Sequence, residues 1–197
     1  SLEGNPMAIR KIARMGHKVL QRASELVADP TAPEIAALAQ DLIDTCEDIS
    51  GNGIAAPQVY EPVRMFVFRV RSGVMPKGAV MKEIPWTVVI NPTLTFLSED
   101  TKLYWERCLS LPGLYGQVLR NTQLRMEAYS LDGAKYTMTT SFFLARLLQH
   151  EYDHLDGILY PMRMADMSTF GFVSELGPTS YPTFPFDPED FVDPELS

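Results

Sequence analysis

One segment, SFFLARLLQHEYDHLDG at residues 141–157, constrains the fold of this chain more than any other. Its apolar residues recur with helical spacing, and Phe143, Leu147, His150 and His154 fall on one side of the helix. The apolar face of this helix therefore continues into two imidazoles. Such a face predicts a helix that is buried at the centre of a domain and that places two polar imidazole side chains in the interior.

Residues 31–50, TAPEIAALAQDLIDTCEDIS, predict a second helix nearer the N-terminus. Thr31 and Glu34 have the spacing of a capping box, and Pro33 fits the first turn. One face of this helix is apolar and carries Ile35, Leu38, Leu42, Cys46 and Ile49. Cys46 is therefore expected to be a core residue.

Residues 63–139 predict mostly strands, because they are rich in β-branched and aromatic side chains, with a loop at 73–85. The last segment places apolar residues at every second position: Leu124, Met126 and Ala128. Asp132-Gly133 then predicts a hairpin turn. The order of one helix, several strands and one buried helix favours the α+β class over alternating βαβ units. We therefore expect antiparallel or mixed β-sheets packed around a central metal-binding helix, with an N-terminal helix and an extended C-terminal tail.

Charge and composition restrict the function. The chain has 197 residues and a formal net charge of −8, which argues against a nucleic-acid binder that relies on bulk electrostatics. Its two cysteines are too few for a disulfide framework, so we expect a reducing compartment. No apolar run has the roughly 18 residues of a transmembrane helix.

The two ends of the chain differ from the middle. Residues 1–6 are expected to be a remnant of a cloning vector, and residues 7–177 are expected to form a single catalytic domain. Residues 178–197 contain five acids, five prolines and no Lys or Arg. This composition predicts a tail that is extended or disordered and that stays out of the core.

The two histidines of the central segment have the spacing of a metal site. Side chains four residues apart on one helical face, here His150 and His154, can bind the same ion. Glu151 follows the first histidine, so it can act as a base on water at the metal without being a ligand. Asp153 and Asp156 are expected to cap or orient the helix end. Two core histidines satisfied by hydrogen bonds are the less favoured interpretation.

A third protein ligand decides the class of reaction. Glu175 lies 21 residues beyond His154, a downstream position that zinc endopeptidases with such histidines often use. Cys108, in the segment WERCLSLPG, is the other candidate, because a thiolate is a strong metal ligand. His17 lies in a basic segment that we expect to be mobile. These residues alone leave both the endopeptidase and the cysteine-ligand interpretation open.

Three segments in this order resemble peptide deformylases: GNGIAAPQ at 51–58, ERCLS at 106–110 and QHEYDHLDG at 149–157. The corresponding family patterns are roughly G-x-G-x-A-A-x-Q, E-G-C-x-S and Q-H-E-x-D-H. The three segments together, in this order, identify the family much more specifically than any one of them does alone. The resemblance covers residues 7–176 and leaves out the acidic tail.

The resemblance implies a metal centre with four residues in defined roles. Cys108, His150 and His154 would bind one divalent metal ion per chain, usually Fe²⁺ in the family, with Zn²⁺, Ni²⁺ or Co²⁺ accepted. Glu151 would be the general base. The implied reaction is hydrolysis of the N-formyl group from N-formylmethionyl nascent chains at the ribosome, with release of formate. A bacterial cytoplasm or an organelle that makes formylated proteins would fit.

The resemblance also implies the residues that bind the substrate. The side-chain amide of Gln58 and the backbone N–H of Leu109 would stabilise the oxyanion. Gly53 and Ile54 would line the peptide-binding groove. The Met side chain requires an apolar pocket, and we expect its walls from the face of the histidine helix, namely from Phe143 and Leu147.

Two residues depart from the family pattern, and both narrow the space near the groove. Arg107 precedes Cys108 where the family has glycine, and the bulky Phe142 stands where a small residue is common. A guanidinium at position 107 must reach solvent along the groove or pair with a carboxylate such as Glu106. We expect Arg107 to restrict bulky substrate residues and to favour acidic ones. A homologue that binds formylated peptides without turning them over therefore stays open as an alternative.

Overall fold

The fold is described by a computed structural model that covers residues 8–177 and 186–197. The vector remnant expected at residues 1–6 lies outside the described residues. Within the described ranges there are two α-helices, α1 (Pro33–Asp48) and α2 (Phe142–Leu155). The strands in the same ranges are β1 (Gly53–Ala55), β2 (Met65–Val70), β3 (Ile84–Phe96), β4 (Thr101–Glu106), β5 (Leu114–Asn121), β6 (Gln123–Tyr129), β7 (Lys135–Ser141), β8 (Gly171–Phe172) and β9 (Glu195–Leu196). The predicted α+β class is confirmed.

The strands form two antiparallel sheets. One has the order β1-β2-β3-β6-β7-β9 and the other the order β4-β5-β8. The predicted hairpin is confirmed, since β6 pairs with β7 across the turn that contains Gly133 at a φ of 81°, which glycine adopts readily. The alternating apolar residues of β6 are fully buried: Leu124, Met126 and Ala128. The period-two pattern therefore indicated the core face of this strand correctly.

Helix α2 is the central element, as its sequence predicts. Eleven of its 14 residues are buried. It packs against β1, β5 and β7. Leu144, Ala145 and Leu148 are each 0% exposed and share one core cluster with Phe66 and Phe68 of β2. The packing of this helix therefore places the two histidines in the interior of the domain.

Helix α1 forms where the sequence predicts it, but the capping box does not. Its N-cap is Ala32, which provides no side-chain hydrogen bond. The Thr31 hydroxyl instead donates to Asp29 Oδ1 at 2.7 Å. The predicted cap is therefore wrong, because a local turn satisfies the threonine. Cys46 is 0% exposed, and burial raises the pKa of its thiol to about 12, so its role as a core residue is confirmed.

The segment at residues 186–197 is attached to the domain. Strand β9 pairs with the edge strand β7. Phe191 is 1% exposed, and its ring stacks on Phe143 with centroids 4.4 Å apart. Lys102 Nζ lies 2.7 Å from Asp190 Oδ1, so the acid is paired. The expectation that the tail stays out of the core is wrong at Phe191. The acidic, proline-rich composition of the tail does not reveal that this one aromatic side chain is buried against α2.

Phe142 begins α2 in a left-handed backbone conformation, with a φ of 51°. This conformation costs a residue with a Cβ about 1–2 kcal/mol, whereas glycine adopts it readily. We therefore expect Phe142→Gly to be more stable than Phe142→Ala by about 1 kcal/mol, because both variants remove the ring and only glycine lacks the Cβ. Urea unfolding of the two variants measures this difference.

The same pair of substitutions at Gln40, an exposed position inside α1, is the control. There alanine should be more stable than glycine by about 1 kcal/mol. A Phe142→Ala variant that matches or exceeds Phe142→Gly in stability would show that the start of α2 is unstrained.

Candidate metal centre

Helix α2 and the loop after β4 bring three side chains together. The ligand atoms of Cys108, His150 and His154 all lie within 4.8 Å of one another, and the three residues are buried. The two histidines are one helical turn apart, and Cys108 lies in a turn in which its carbonyl accepts a hydrogen bond from Leu111 N–H at 2.9 Å. The three residues that the sequence suggests as metal ligands are therefore close enough to share one ion.

The geometry of this cluster fits a metal ion. Cys108 Sγ and His154 Nε2 are 3.4 Å apart. Bonds of about 2.3 Å to sulfur and about 2.0 Å to nitrogen place two tetrahedral ligands about 3.5 Å apart. One thiolate and two imidazoles suit metals such as Zn²⁺ and Fe²⁺. Three protein ligands also leave one coordination position open, which is typical of catalytic sites and not of structural ones.

A buried ion network orients His150. Its Nδ1 lies 2.7 Å from Glu106 Oε1, which leaves Nε2 as the atom that can bind a metal. Arg120 lies between two carboxylates: its Nε is 2.7 Å from Glu106 Oε2, and its Nη1 is 2.7 Å from Asp153 Oδ2. Burial by itself would raise the pKa of Glu106, but the Arg120 charge and the hydrogen bonds from Arg120 and His150 lower it overall. Glu106 is therefore an ionised partner that holds His150 in place.

Glu151 follows His150 on α2 and is not part of the cluster of candidate ligands. Its side chain is buried, and among the described residues Oε2 has no hydrogen-bond partner. Burial raises the pKa of this carboxyl group to about 7, although the nearby His150 and Arg146 act in the opposite direction. A Cβ on Gly53 would lie 2.7 Å from Glu151 Oε1. Gly53 therefore provides the space that the carboxylate occupies.

Two hydrogen-bond donors border the same centre. Gln58 is 1% exposed, and its Oε1 accepts from Ala55 N–H at 2.9 Å. This fixes the opposite end of the amide, Nε2, at 3.5 Å from Cys108 Sγ and 3.1 Å from Ser110 Oγ. Leu109 lines the neighbouring groove, and none of the described residues accepts a hydrogen bond from its N–H. The Gln58 amide is therefore held beside the candidate ligand Cys108, and Leu109 follows that cysteine directly in the chain.

An open groove with a volume of about 1210 Å³ runs past these residues. Its lining includes Gly53, Gln58, Arg107, Cys108, Leu109, Phe143, Arg146, Leu147, His150 and Glu151. Ile54 is not part of the lining, because its side chain is 0% exposed and packs in the core with α1. Adjacent residues of a strand face opposite sides of the sheet, so the Ile54 side chain points away from the groove that Gly53 lines. Of the two residues expected to line the groove, Gly53 is therefore part of the lining and the buried side chain of Ile54 is not.

Arg107 is exposed at the groove. Its Nη1 donates to the Tyr115 hydroxyl at 2.9 Å, and its guanidinium lies 5.9 Å from the centroid of that ring. Glu106 is not its partner, because Glu106 is buried against Arg120 and His150. Of the two expectations from the sequence, solvent exposure along the groove is correct and pairing with Glu106 is wrong.

Two other candidate ligands lie elsewhere. Glu175 is exposed and is not part of any group of metal-binding side chains found in the described ranges. His17 caps a short turn, where its Nδ1 accepts from Val19 N–H at 3.2 Å, and its ring packs edge-on against Tyr60. The basic segment around His17 is held by the hydrogen bond from Ala13 N–H to the Gln58 carbonyl at 2.7 Å. This anchoring contradicts the expectation that the segment is mobile.

Comparison with known proteins gives the family. Residues 9–170 match the family model described as polypeptide deformylase. The chain belongs to the polypeptide deformylase family. Peptide deformylase 1 of Nitrosomonas europaea is 41% identical to it over 170 residues, which are 86% of this chain and 96% of the relative.

Solved structures of deformylases resemble this fold as well. The class I type b peptide deformylase of Acinetobacter baumannii with bound Met-Ala-Ser has a TM-score of 0.72 and 29% identity, over 80% of this chain and 99% of that one. The peptide deformylase of Ehrlichia chaffeensis in complex with actinonin has a TM-score of 0.73 and 28% identity, over 82% and 92%. In the present chain, none of the helices within residues 8–177 and 186–197 is long and apolar enough to span a membrane.

Proposed function

We propose that this chain hydrolyses the N-formyl group of N-formylmethionyl peptides and releases formate. The observation that carries the proposal is the convergence of Cys108, His150 and His154 beside Glu151 in a member of the deformylase family. An endopeptidase that uses Glu175 is not favoured, because Glu175 lies outside this cluster. The substrates that we propose are nascent chains at the ribosome of a bacterial cytoplasm.

Cys108, His150 and His154 would hold the metal ion. We propose Fe²⁺ as the natural ion, with Zn²⁺, Ni²⁺ or Co²⁺ as substitutes. When bound, such an ion supplies a Lewis acid that polarises the formyl group and makes water a better nucleophile near neutral pH. Glu106 would keep His150 in its ligand orientation through the 2.7 Å hydrogen bond to Nδ1.

The protein's own groups would then move the proton and stabilise charge. Glu151 accepts the proton of the attacking water and delivers it to the departing nitrogen. The negative charge that develops on the formyl oxygen receives hydrogen bonds from the Gln58 amide and the Leu109 N–H. The loss of one such donor costs roughly 3 kcal/mol of transition-state stabilisation.

The groove would position the peptide. Phe143 and Leu147 offer apolar surface to the Met side chain, and Gly53 lines the groove next to the base Glu151. Arg107 stands at the exposed part of the groove and would favour acidic residues downstream of formyl-Met. Salt should weaken this preference, because an exposed charge pair is screened.

Formate release tests the proposed function. Protein reconstituted with Fe²⁺ under anaerobic conditions should release formate from formyl-Met-Ala-Ser and should leave acetyl-Met-Ala-Ser intact. Metal-free protein should be inactive until the ion is restored. Protein that is fully loaded with metal and binds the formylated peptide, but releases no formate, would support the impaired homologue instead.

Gly53→Ala tests the space around the base. The new Cβ would lie 2.7 Å from Glu151 Oε1, so the carboxylate must move. Because small misplacement of a catalytic group can cost about 10²-fold, we expect a loss of kcat of that order with unchanged metal content. Gly73→Ala is the matched control, because Gly73 also lines the groove and its Cβ would meet nothing within 4 Å. Equal activity of the two variants would contradict the tight contact.

A further inference from the structure

Phe186 brings the C-terminal segment into the wall of the groove. It lines the groove together with Phe143, Arg146 and Leu147 of α2. The family match ends at residue 170, so Phe186 lies beyond the part of the chain that the family defines. One wall of the groove is therefore supplied by a segment that the family pattern does not contain.

Three side chains form this wall as a stack. The Phe186 and Phe143 rings meet edge to face with centroids 4.8 Å apart. The guanidinium of Arg146 lies 5.1 Å from the Phe143 centroid and 5.2 Å from the Phe186 centroid. Its Nε is buried and has no hydrogen-bond partner among the described residues. The two rings therefore flank the cation, and Phe186 supplies one of its two aromatic contacts.

The segment that carries Phe186 is fixed at several points. Lys102 Nζ lies 2.9 Å from Asp187 Oδ2 and 2.7 Å from Asp190 Oδ1. Phe191 is 1% exposed and stacks on Phe143. Strand β9 then pairs with β7. Phe186 is thus positioned by an ion pair directly after it and by a buried aromatic residue five positions later.

The place of this stack along α2 indicates what it contacts. Phe143 precedes the metal-ligand candidate His150 by seven residues, which is two helical turns or about 10 Å along the axis. Leu147 lies between them on the same face. A pocket that begins at the metal cluster and follows this face therefore ends at the Phe143–Phe186 pair.

We propose that Phe186 is a specificity-determining residue, which closes the far end of the pocket for the side chain of the formylated residue. This inference rests on the proposed deformylase function. The two aromatic rings, which flank the Arg146 guanidinium, and Leu147 offer apolar surface to a long, unbranched and polarisable side chain such as methionine. Thioether sulfur makes favourable contacts with ring edges. A closed end should also exclude larger side chains such as tryptophan.

Substrate discrimination tests this role. For wild type and Phe186→Ala, kcat/KM is measured for formate release from formyl-Met-Ala-Ser, formyl-Phe-Ala-Ser and formyl-Trp-Ala-Ser. We expect the ratio of formyl-Met to formyl-Trp to fall by roughly tenfold or more in the variant, since side-chain discrimination in apolar pockets is of this size. Phe96→Ala is the matched control, because it removes a phenyl ring that is 52% exposed and does not line the groove. Its ratio should equal that of wild type.

The outcomes separate a pocket wall from a purely structural role. A structural role would lower kcat/KM for all three peptides by the same factor, so unchanged ratios in metal-loaded Phe186→Ala would overturn the inference. If this variant does not fold, Phe186→Leu decides, with a smaller shift in the same direction expected and an unchanged ratio contradicting it. A wild-type protein that releases formate from none of the peptides would refute the proposed function itself, and the inference with it. Active wild type with unchanged variant ratios would refute the inference alone.

Discussion

Glu151→Gln is expected to bind the metal ion as wild type does and to lose most of its turnover. The substitution keeps the size of the side chain but removes the proton acceptor, and it leaves Cys108, His150 and His154 unchanged. General acid–base groups contribute roughly 10²–10⁴-fold to rate, so kcat for formate release should fall by at least this factor. Metal content by elemental analysis and kcat from the formate assay are measured on the same preparation.

Glu175→Gln is the control for Glu151→Gln, because it makes the same chemical change at an exposed glutamate outside the cluster. It should retain both metal and turnover. Metal-loaded Glu151→Gln with wild-type kcat would contradict the role of Glu151 as the base. Loss of metal from this variant would show instead that Glu151 contributes to the metal site.

Cys108→Ser is expected to abolish tight metal binding. A serine hydroxyl is a far poorer ligand than a thiolate for Fe²⁺ or Zn²⁺. Loss of a group that merely orients a ligand already costs roughly 10–100-fold in affinity, and loss of the ligand should exceed this. Competition with a chromophoric chelator measures the affinity of each variant for Zn²⁺ and Co²⁺.

Two controls belong to this measurement. Cys46→Ser makes the same change at a cysteine that is buried in the core on α1, and the folded variant should keep its metal affinity. Glu175→Gln should keep it too. If Cys108→Ser retained tight binding while Glu175→Gln lost it, the endopeptidase interpretation would replace the deformylase one.

Local patterns were sufficient for the elements closest to the chemistry. The helical spacing of α2 predicted its burial and the proximity of His150 to His154, because both depend on residues one turn apart. The β6–β7 hairpin followed from period-two alternation and from Gly133. The position of Cys108 beside the histidines was different, since it depends on a contact across 46 residues. The residues alone left Cys108 and Glu175 as alternatives, and the resemblance to the family favoured Cys108.

The partners of the ligands could not be derived in this way. Glu106, Arg120 and Asp153 meet across separations of 14 and 33 residues, and each by itself is an ordinary charged residue in the sequence. A buried arginine between two carboxylates becomes visible only when the sheets and α2 have been assembled. Sequence reasoning therefore identified the candidate ligands and missed the network that orients them.

Other features depend on backbone conformation or on distant contacts. Phe142 was recognised as bulky, but its φ of 51° cannot be read from residue type. The capping box at Thr31 had the correct spacing and lost to a competing hydrogen bond with Asp29. The prediction for the tail relied on its acids and prolines. It therefore missed Phe186 and Phe191, the two aromatic residues that attach the tail to α2.

The most direct test of the deformylase proposal is the mass of the product formed from a long N-formylmethionyl peptide. Metal-loaded wild-type protein should convert it to a single product that lacks only the formyl group, with one formate released per peptide and every peptide bond intact. Glu151→Gln, loaded with the same metal, should leave the peptide unchanged. Fragments cut at internal peptide bonds with the formyl group still attached would contradict the proposal and would identify a peptidase.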